Sequence, residues 1–149
     1  MRLLITFLFL LIFTAMPKAQ NQINLTVNGQ TKTVTLADTE AARELLAMLT
    51  ESPVTVSMSD YSSFEKVGEL PCSLSTSNRQ LTTAPGDIML YQGRNIVIFY
   101  GSNSWSYTSL GKIDNATADE IRTFLSGSIV DVTLSLSSAT VSPTPTDSY

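Results

Sequence analysis

The chain has 149 residues, 43% of them hydrophobic, with 9 Lys plus Arg against 13 Asp plus Glu and a formal net charge of −4. An acidic chain without a basic stripe excludes nucleic acid as a partner, because phosphate neutralisation supplies most non-specific affinity. Histidine is absent, which removes the commonest general base near neutral pH and the commonest neutral metal ligand, and a lone cysteine, Cys72, excludes an intrachain disulfide.

Residues 1–19 read as a signal peptide. Met1-Arg2 is a short basic start, Leu3 to Phe13 an apolar run, and Ala15 to Ala19 a small-residue region suited to cleavage near Ala19. The run is too short to span a bilayer, and no cysteine follows it for lipid attachment. The expectation is an exported protein, periplasmic or extracellular, with no stable membrane insertion after cleavage. Losing Arg2 and Lys18 lowers Lys plus Arg to 7 and moves the net charge to −6. Residues 20–136 are expected to form one domain, since roughly 115 residues can bury a core without staples, the difficulty becoming severe only below about 40.

Ile23, Leu25 and Val27 alternate with Asn24 and Thr26, and Asn28-Gly29 then gives a tight hairpin continued by Val34 and Leu36, with Thr33 and Thr35 on the solvent side. Asp38 stands where an N-cap belongs, ahead of a helix from about Thr39 to Thr50. Its stripe of Ala41, Ala42, Leu45, Met48 and Leu49 lies on a core, and Pro53 marks its end. Val54, Val56 and Met58 against Thr55, Ser57 and Ser59 make the next strand, and Asp60 to Glu65 reads as a loop or irregular turn. Glu65 to Pro71 is short and punctuated, and Cys72 to Thr83 is a polar surface excursion with room for one edge strand.

Pro85 to Ile113 is the densest β-branched and aromatic stretch. Asp87 to Tyr91 and Asn95 to Tyr100 predict a hairpin about Gln92-Gly93-Arg94. In its second arm Ile96, Ile98 and Tyr100 face one way and Val97 and Phe99 the other, so both faces need cover. A central strand of a closed barrel, with a helix or loop over its outer side, meets that need; a two-sheet sandwich is the alternative. Trp105 begins a further strand. Thr117-Ala118-Asp119-Glu120 has the form of a capping box for a helix from about Ala118 to Leu125, with Ile121, Phe124 and Leu125 buried and Gly127 as C-cap. Val130, Val132, Leu134 and Leu136 form the cleanest alternating strand, expected to pair with the first strand and close the barrel. Residues 137–149, rich in Ser, Thr and Pro, read as a disordered tail.

The order of these elements, with DTEAARELL at Asp38 to Leu46, the stretch Pro85 to Gly101, and Ser104 to Ile113 ahead of a capped helix and a last strand, resembles the small bacterial and archaeal cyclophilin-like proteins over Ile23 to Leu136. The resemblance implies a mainly β fold, a closed antiparallel eight-stranded barrel with two capping helices, one at each end. True cyclophilins isomerise X-Pro bonds with an arginine that contacts the proline amide, on a face lined by phenylalanines, a glutamine, a tryptophan and a histidine. Here the corresponding segment is contracted to Glu65 through Thr83, Arg79 lacks the matching neighbours, and no histidine exists. Asn24-Leu25-Thr26 and Asn115-Ala116-Thr117 match the glycosylation pattern, which carries no meaning in a bacterial chain.

Cys72 alone is a poor zinc site and, without a histidine, a poor nucleophile. Glu65, Lys66 and Glu69 could form a local ion pair, usually surface decoration, and Asp60, Glu65 and Asp87 match no calcium loop and read as solvated turns. No catalytic residue, metal ligand or cofactor is therefore expected. Aromatics beside Ser102, Asn103 and Ser104 would make an apolar floor with polar handles, and the residues assigned to it are Tyr61, Tyr91, Tyr100, Ser104, Trp105 and Tyr107. Strand alternation sends some of these into the core. The functional expectation is an exported module binding a peptide or small molecule without catalysis; the alternatives are a weak peptidyl-prolyl cis-trans isomerase and a structural or interaction protein of the cell envelope.

Overall fold

The computed structural model describes residues 21–137, so the signal-peptide segment and nearly all of the Ser/Thr/Pro-rich tail lie outside the described residues. Asn28 and Gly29, at φ +49° and +78°, give the turn two consecutive left-handed residues, whose twist matches that of the flanking strands. This turn joins β1 (Gln22–Val27) to β2 (Gln30–Leu36). The remaining elements are α1 (Glu40–Glu51), β3 (Val54–Tyr61), β4 (Glu65–Glu69), β5 (Arg79–Thr82), β6 (Asp87–Tyr91), β7 (Asn95–Phe99), β8 (Ser104–Ile113), α2 (Ala118–Phe124) and β9 (Ile129–Leu136).

Every pairing is antiparallel, in the order β2-β1-β9-β3-β4-β7-β6-β8, and β8 returns to β2 at Val34↔Ile113. Eight strands thus make a closed barrel, which removes the edges an open sheet would leave. The final strand pairs with the first, as expected, and also with β3. The ring is closed elsewhere, at the β2–β8 seam, where Gly111 is needed: a Cβ there would lie 2.6 Å from the Thr35 carbonyl oxygen. β5 lies outside the ring and pairs with the first half of β8, Arg79↔Tyr107 through Thr82↔Ser104. It is the edge strand expected within the Cys72 to Thr83 excursion.

Alternation divides the apolar residues between two sides of the wall. Ile23, Leu25, Val56, Ile88, Ile98 and Val132 belong to the main core, with Leu45 and Leu49 of α1 and Ile121 and Phe124 of α2 packed into it. Met89, Val97, Phe99 and Tyr107 make a second cluster on the other side, against Phe64, Val67, Leu81 and Tyr91. Both faces of β7 are therefore covered, the outer one by the loop before β4 and by β5.

Four local expectations are corrected. Thr39, not Asp38, caps α1: its hydroxyl accepts from Ala42 N at 3.2 Å and donates to the Ser109 carbonyl at 2.7 Å, while Asp38 takes the Arg43 guanidinium at 2.7 Å. Asp60 and Tyr61 belong to β3 and Glu65 opens β4, so the expected loop shrinks to 62–64, where Ser62 and Ser63 both have positive φ. Thr117 caps α2 as expected, but the C-cap is Leu125, and Gly127, at φ +112°, lies two residues beyond. Glu65, Lys66 and Glu69 make no local ion pair; Lys66 pairs with Asp60 and Glu69 with Arg94.

Candidate ligand cleft on the outer barrel wall

The outer cluster is built by register. Glu65 and Val67 of β4 stand opposite Phe99 and Val97 of β7; Met89 and Tyr91 of β6 stand opposite Val97 and Asn95. Side chains two apart share a face, so Trp105 and Tyr107 of β8 approach the same surface. The 62–64 loop lays Phe64 over Phe99, stacked with centroids 6.3 Å apart, and Tyr61 meets Phe64 edge-on at 6.2 Å. Phe99 meets Tyr107 at 5.5 Å and Tyr107 meets Tyr91 at 6.2 Å, both edge to face. Five rings thus run continuously across the wall in geometries that aromatic quadrupoles favour.

Beside them opens a cleft of about 670 Å³, within the range of small-ligand sites. Tyr61, Phe64, Tyr91, Trp105 and Tyr107 supply its aromatic lining, Val67 and Val97 its aliphatic part, and Ser59, Asp60, Asn95, Asn103 and Glu65 its polar groups. Backbone bonds hold its rim: the Phe64 carbonyl accepts from Tyr100 N at 3.0 Å and Gly101 N at 2.9 Å. Thr83 and Asn103 exchange bonds, and the Asn103 amide donates to the Tyr107 hydroxyl at 2.8 Å.

Of the six residues assigned from sequence, Tyr61, Tyr91, Trp105 and Tyr107 line this cleft. Tyr61 is 60% and Trp105 54% exposed, whereas Tyr107 is buried at its base. Tyr100 is not among the lining residues. It packs against the main core, and its hydroxyl donates to Asp60 Oδ1 at 2.8 Å; burial first, and that carboxylate second, push its pKa up to about 12. Ser104 is also outside the lining, its hydroxyl bonded to Thr82 at 2.7 Å.

Phe64 and Glu65 were not assigned to the cleft from sequence. Glu65 is 6% exposed, its Oε2 is buried without a hydrogen-bond partner, and burial pushes its pKa up to about 7. Lys66, next in sequence, is directed to the opposite side, where Nζ donates to the Gly127 carbonyl and to Asp60 Oδ1, the latter at 2.7 Å. That lysine, ahead of the Tyr100 bond, holds the Asp60 carboxyl below its ordinary value. Asp87 bonds Ala84 N and Lys112 instead of joining Asp60 and Glu65. Among the described residues no group of His, Cys, Asp and Glu is placed to hold a metal ion, and no helix is long and apolar enough to cross a membrane.

A closed antiparallel eight-stranded barrel with an aromatic cleft on its outer wall defines the structural class. Residues 25–136 match the cyclophilin-like family, and the chain belongs to that family. A search among curated proteins finds no match to the chain.

Proposed function

We propose that this protein is an exported ligand-binding module of the cyclophilin-like family that holds a peptide or small molecule against the aromatic cleft beside Trp105, without catalysing a reaction on it. The observation that carries this reading is the cleft itself: about 670 Å³ of concave space, lined by Tyr61, Phe64, Tyr91, Trp105 and Tyr107 over the buried Phe99 ring and rimmed by a few polar groups, the usual anatomy of a small-ligand site. In this reading α1 and α2 plug the ends of the barrel and keep its wall stiff. The absence of histidine and the placement of Arg79 outside the cleft lining, on β5, count against an isomerase site of the cyclophilin type.

Trp105 is the sole tryptophan and is half-exposed at the cleft, so its emission reports occupancy directly. Titration with proline-containing peptides and cell-envelope fragments should shift or quench it saturably. No response across a broad panel would sink the reading. A weak prolyl isomerase is the second reading, favoured by the apolar floor that could seat a proline ring. Cis X-Pro turnover in a protease-free assay decides it, and a rate no faster than buffer eliminates it.

A further inference from the structure

Glu65 is the anomaly of the cleft. A carboxyl group that is nine-tenths buried normally has a cation or several donors as partners, because removing its charge from water is costly. Glu65 has neither: Oε2 is buried and unpartnered, and the lining contains no lysine or arginine. The neighbouring cation, Lys66, is occupied on the other side of the wall by Asp60 and the Gly127 carbonyl. Asp60 is thereby compensated, and Glu65 remains the uncompensated acid among the lining residues. Tyr61, directly opposite Glu65 across β3 and β4, lines the same cleft with Phe64, Tyr91, Trp105 and Tyr107, and aromatic faces attract cations through their quadrupoles.

We infer that the cleft selects ligands carrying a positively charged nitrogen, an alkylammonium or guanidinium group, which the rings enclose and whose charge the Glu65 carboxylate meets. The inference rests on the reading of the cleft as a ligand site and narrows it. An anionic ligand would enter a cleft whose lining holds the uncompensated Glu65 carboxyl and no lysine or arginine. A neutral carbonyl could take a hydrogen bond from protonated Glu65 but would gain nothing from the ring faces as a cation does. The chemistry is the same whether the nitrogen belongs to a free amine or to a lysine or arginine side chain of a peptide.

Binding of this kind is coupled to a proton. The titratable groups nearest Glu65 are Tyr61, directly across the strand pair on β3, Tyr91 from β6, Tyr100 after β7 and Tyr107 from β8, with Arg122 of α2 acting on Tyr100; Asp60 and Lys66, the neighbouring pair across β3 and β4, are joined to each other on the other side of the wall. Tyr100 and Tyr107 are both pushed above the ordinary tyrosine value and Asp60 is held below the ordinary carboxylate value, which leaves Glu65 to titrate near neutrality. A cation binds the ionised form, so apparent affinity scales with the ionised fraction.

The test is Trp105 fluorescence and calorimetry on the folded protein, with four probes: tetramethylammonium, a blocked alanine–lysine–alanine tripeptide, and their uncharged counterparts tert-butanol and alanine–leucine–alanine. The expected result is that the charged probes bind at least tenfold more tightly than the uncharged ones at pH 8, and at least tenfold more weakly at pH 5.5 than at pH 8. Calorimetry near pH 7 in buffers of different ionisation enthalpy should show a proton released on binding. Glu65→Gln should lose the charge preference and the pH dependence; its retained far-UV and near-UV circular dichroism would separate this from misfolding. Tighter binding of the tripeptide than of tetramethylammonium identifies a peptide source and the reverse a free amine, both in support. Equal binding of charged and uncharged probes, or an unchanged preference in Glu65→Gln, overturns the inference while leaving the ligand-site reading standing. Silence from every probe, proline peptides included, removes both.

Discussion

Glu65 and Lys66 are adjacent, opposite in charge and both buried, yet strand alternation sends them to opposite sides of the barrel wall. Lys66 stands opposite Ile98, a main-core residue, and finds Asp60 across the β3–β4 pair; Glu65 stands opposite Phe99 in the outer cluster and finds no partner. One β-strand step therefore separates a satisfied charge from an unsatisfied one, and the unsatisfied one faces the cleft. Buried unpaired acids are costly to stability, and that cost, kept in a concave site, is where the cation-binding proposal starts.

The cost of Glu65 should be visible as a pH dependence. Its folded-state pKa, about 7, lies above the 4.5 of an unburied glutamate. Between those values the folded protein retains a proton that the unfolded chain has released, so the contribution of Glu65 to stability is fully present below about pH 4.5 and is lost as pH rises through about 7. Glu65→Gln carries no such proton. Urea unfolding should show the variant flat across this window and, at pH 8, more stable than the native protein by up to about 3 kcal/mol. Parallel curves for the two proteins would mean that the carboxyl is not buried in solution.

Lys66 should behave in the opposite sense. It ties the end of β3, through Asp60, to the segment after α2, through the Gly127 carbonyl. Lys66→Met keeps much of the aliphatic stem but deprives that carbonyl of its lysine donor and leaves Asp60 with the Tyr100 hydroxyl and no cation. Because Asp60 is partly exposed and water can replace the lysine there, the expected loss is about 2 kcal/mol, below the full range for a buried pair. Unfolding at pH 7 measures it. The pair's contribution should also fade in acid, as pH falls through the lowered pKa of Asp60.

How far the sequence disclosed this arrangement depends on the kind of signal. The two-faced apolar pattern of Ile96 to Phe99 carries the barrel wall in its own composition, and Asn28-Gly29 carries the first turn, because both are local. The Glu65 to Leu70 segment was legible in principle: Glu65, Val67 and Glu69 alternate with Lys66, Gly68 and Leu70. From sequence the segment is only short and punctuated, since a lysine on a core face reads as solvent until its distant partners are known. Phe64 escaped because its position depends on two successive left-handed serines, Ser62 and Ser63, a conformation serine does not advertise. Tyr100 and Ser104 share strand or loop context with the lining residues, and only the tertiary register separates them from the cleft.

Barrel closure makes a sharper prediction at Gly111. Its absent side chain lets β8 approach β2, and a Cβ would meet the Thr35 carbonyl at 2.6 Å and Val34 Cγ1 at 3.0 Å. The first of these is backbone in a paired strand and cannot step aside without disturbing the seam. Gly111→Ala should therefore destabilise by about 3 kcal/mol, the upper range for overpacking, as read by urea unfolding. Amide exchange should quicken first at Val34 to Leu36 and Gly111 to Ile113. A neutral result would mean that the two strands are not held in contact there.

The start of α1 decides between two neighbouring candidates for one role. Asp38 has the better electrostatic credentials for an N-cap, with a carboxylate beside the positive helix terminus, but its side chain is exposed and turned to Arg43. Thr39 has the geometry: extended backbone, a hydroxyl accepting from Ala42 N, and a bond to the Ser109 carbonyl that fixes the helix against β8. Thr39→Ala removes both bonds and should cost about 1–2 kcal/mol. Asp38→Ala loses only a solvent-exposed ion pair, a smaller effect that shrinks further as salt is raised. Unfolding the two variants side by side, at low and high salt, separates them: the threonine loss should be salt-independent and the larger. If the aspartate variant proved the weaker, the helix would begin one residue earlier in solution and the Ser109 tether would not hold it.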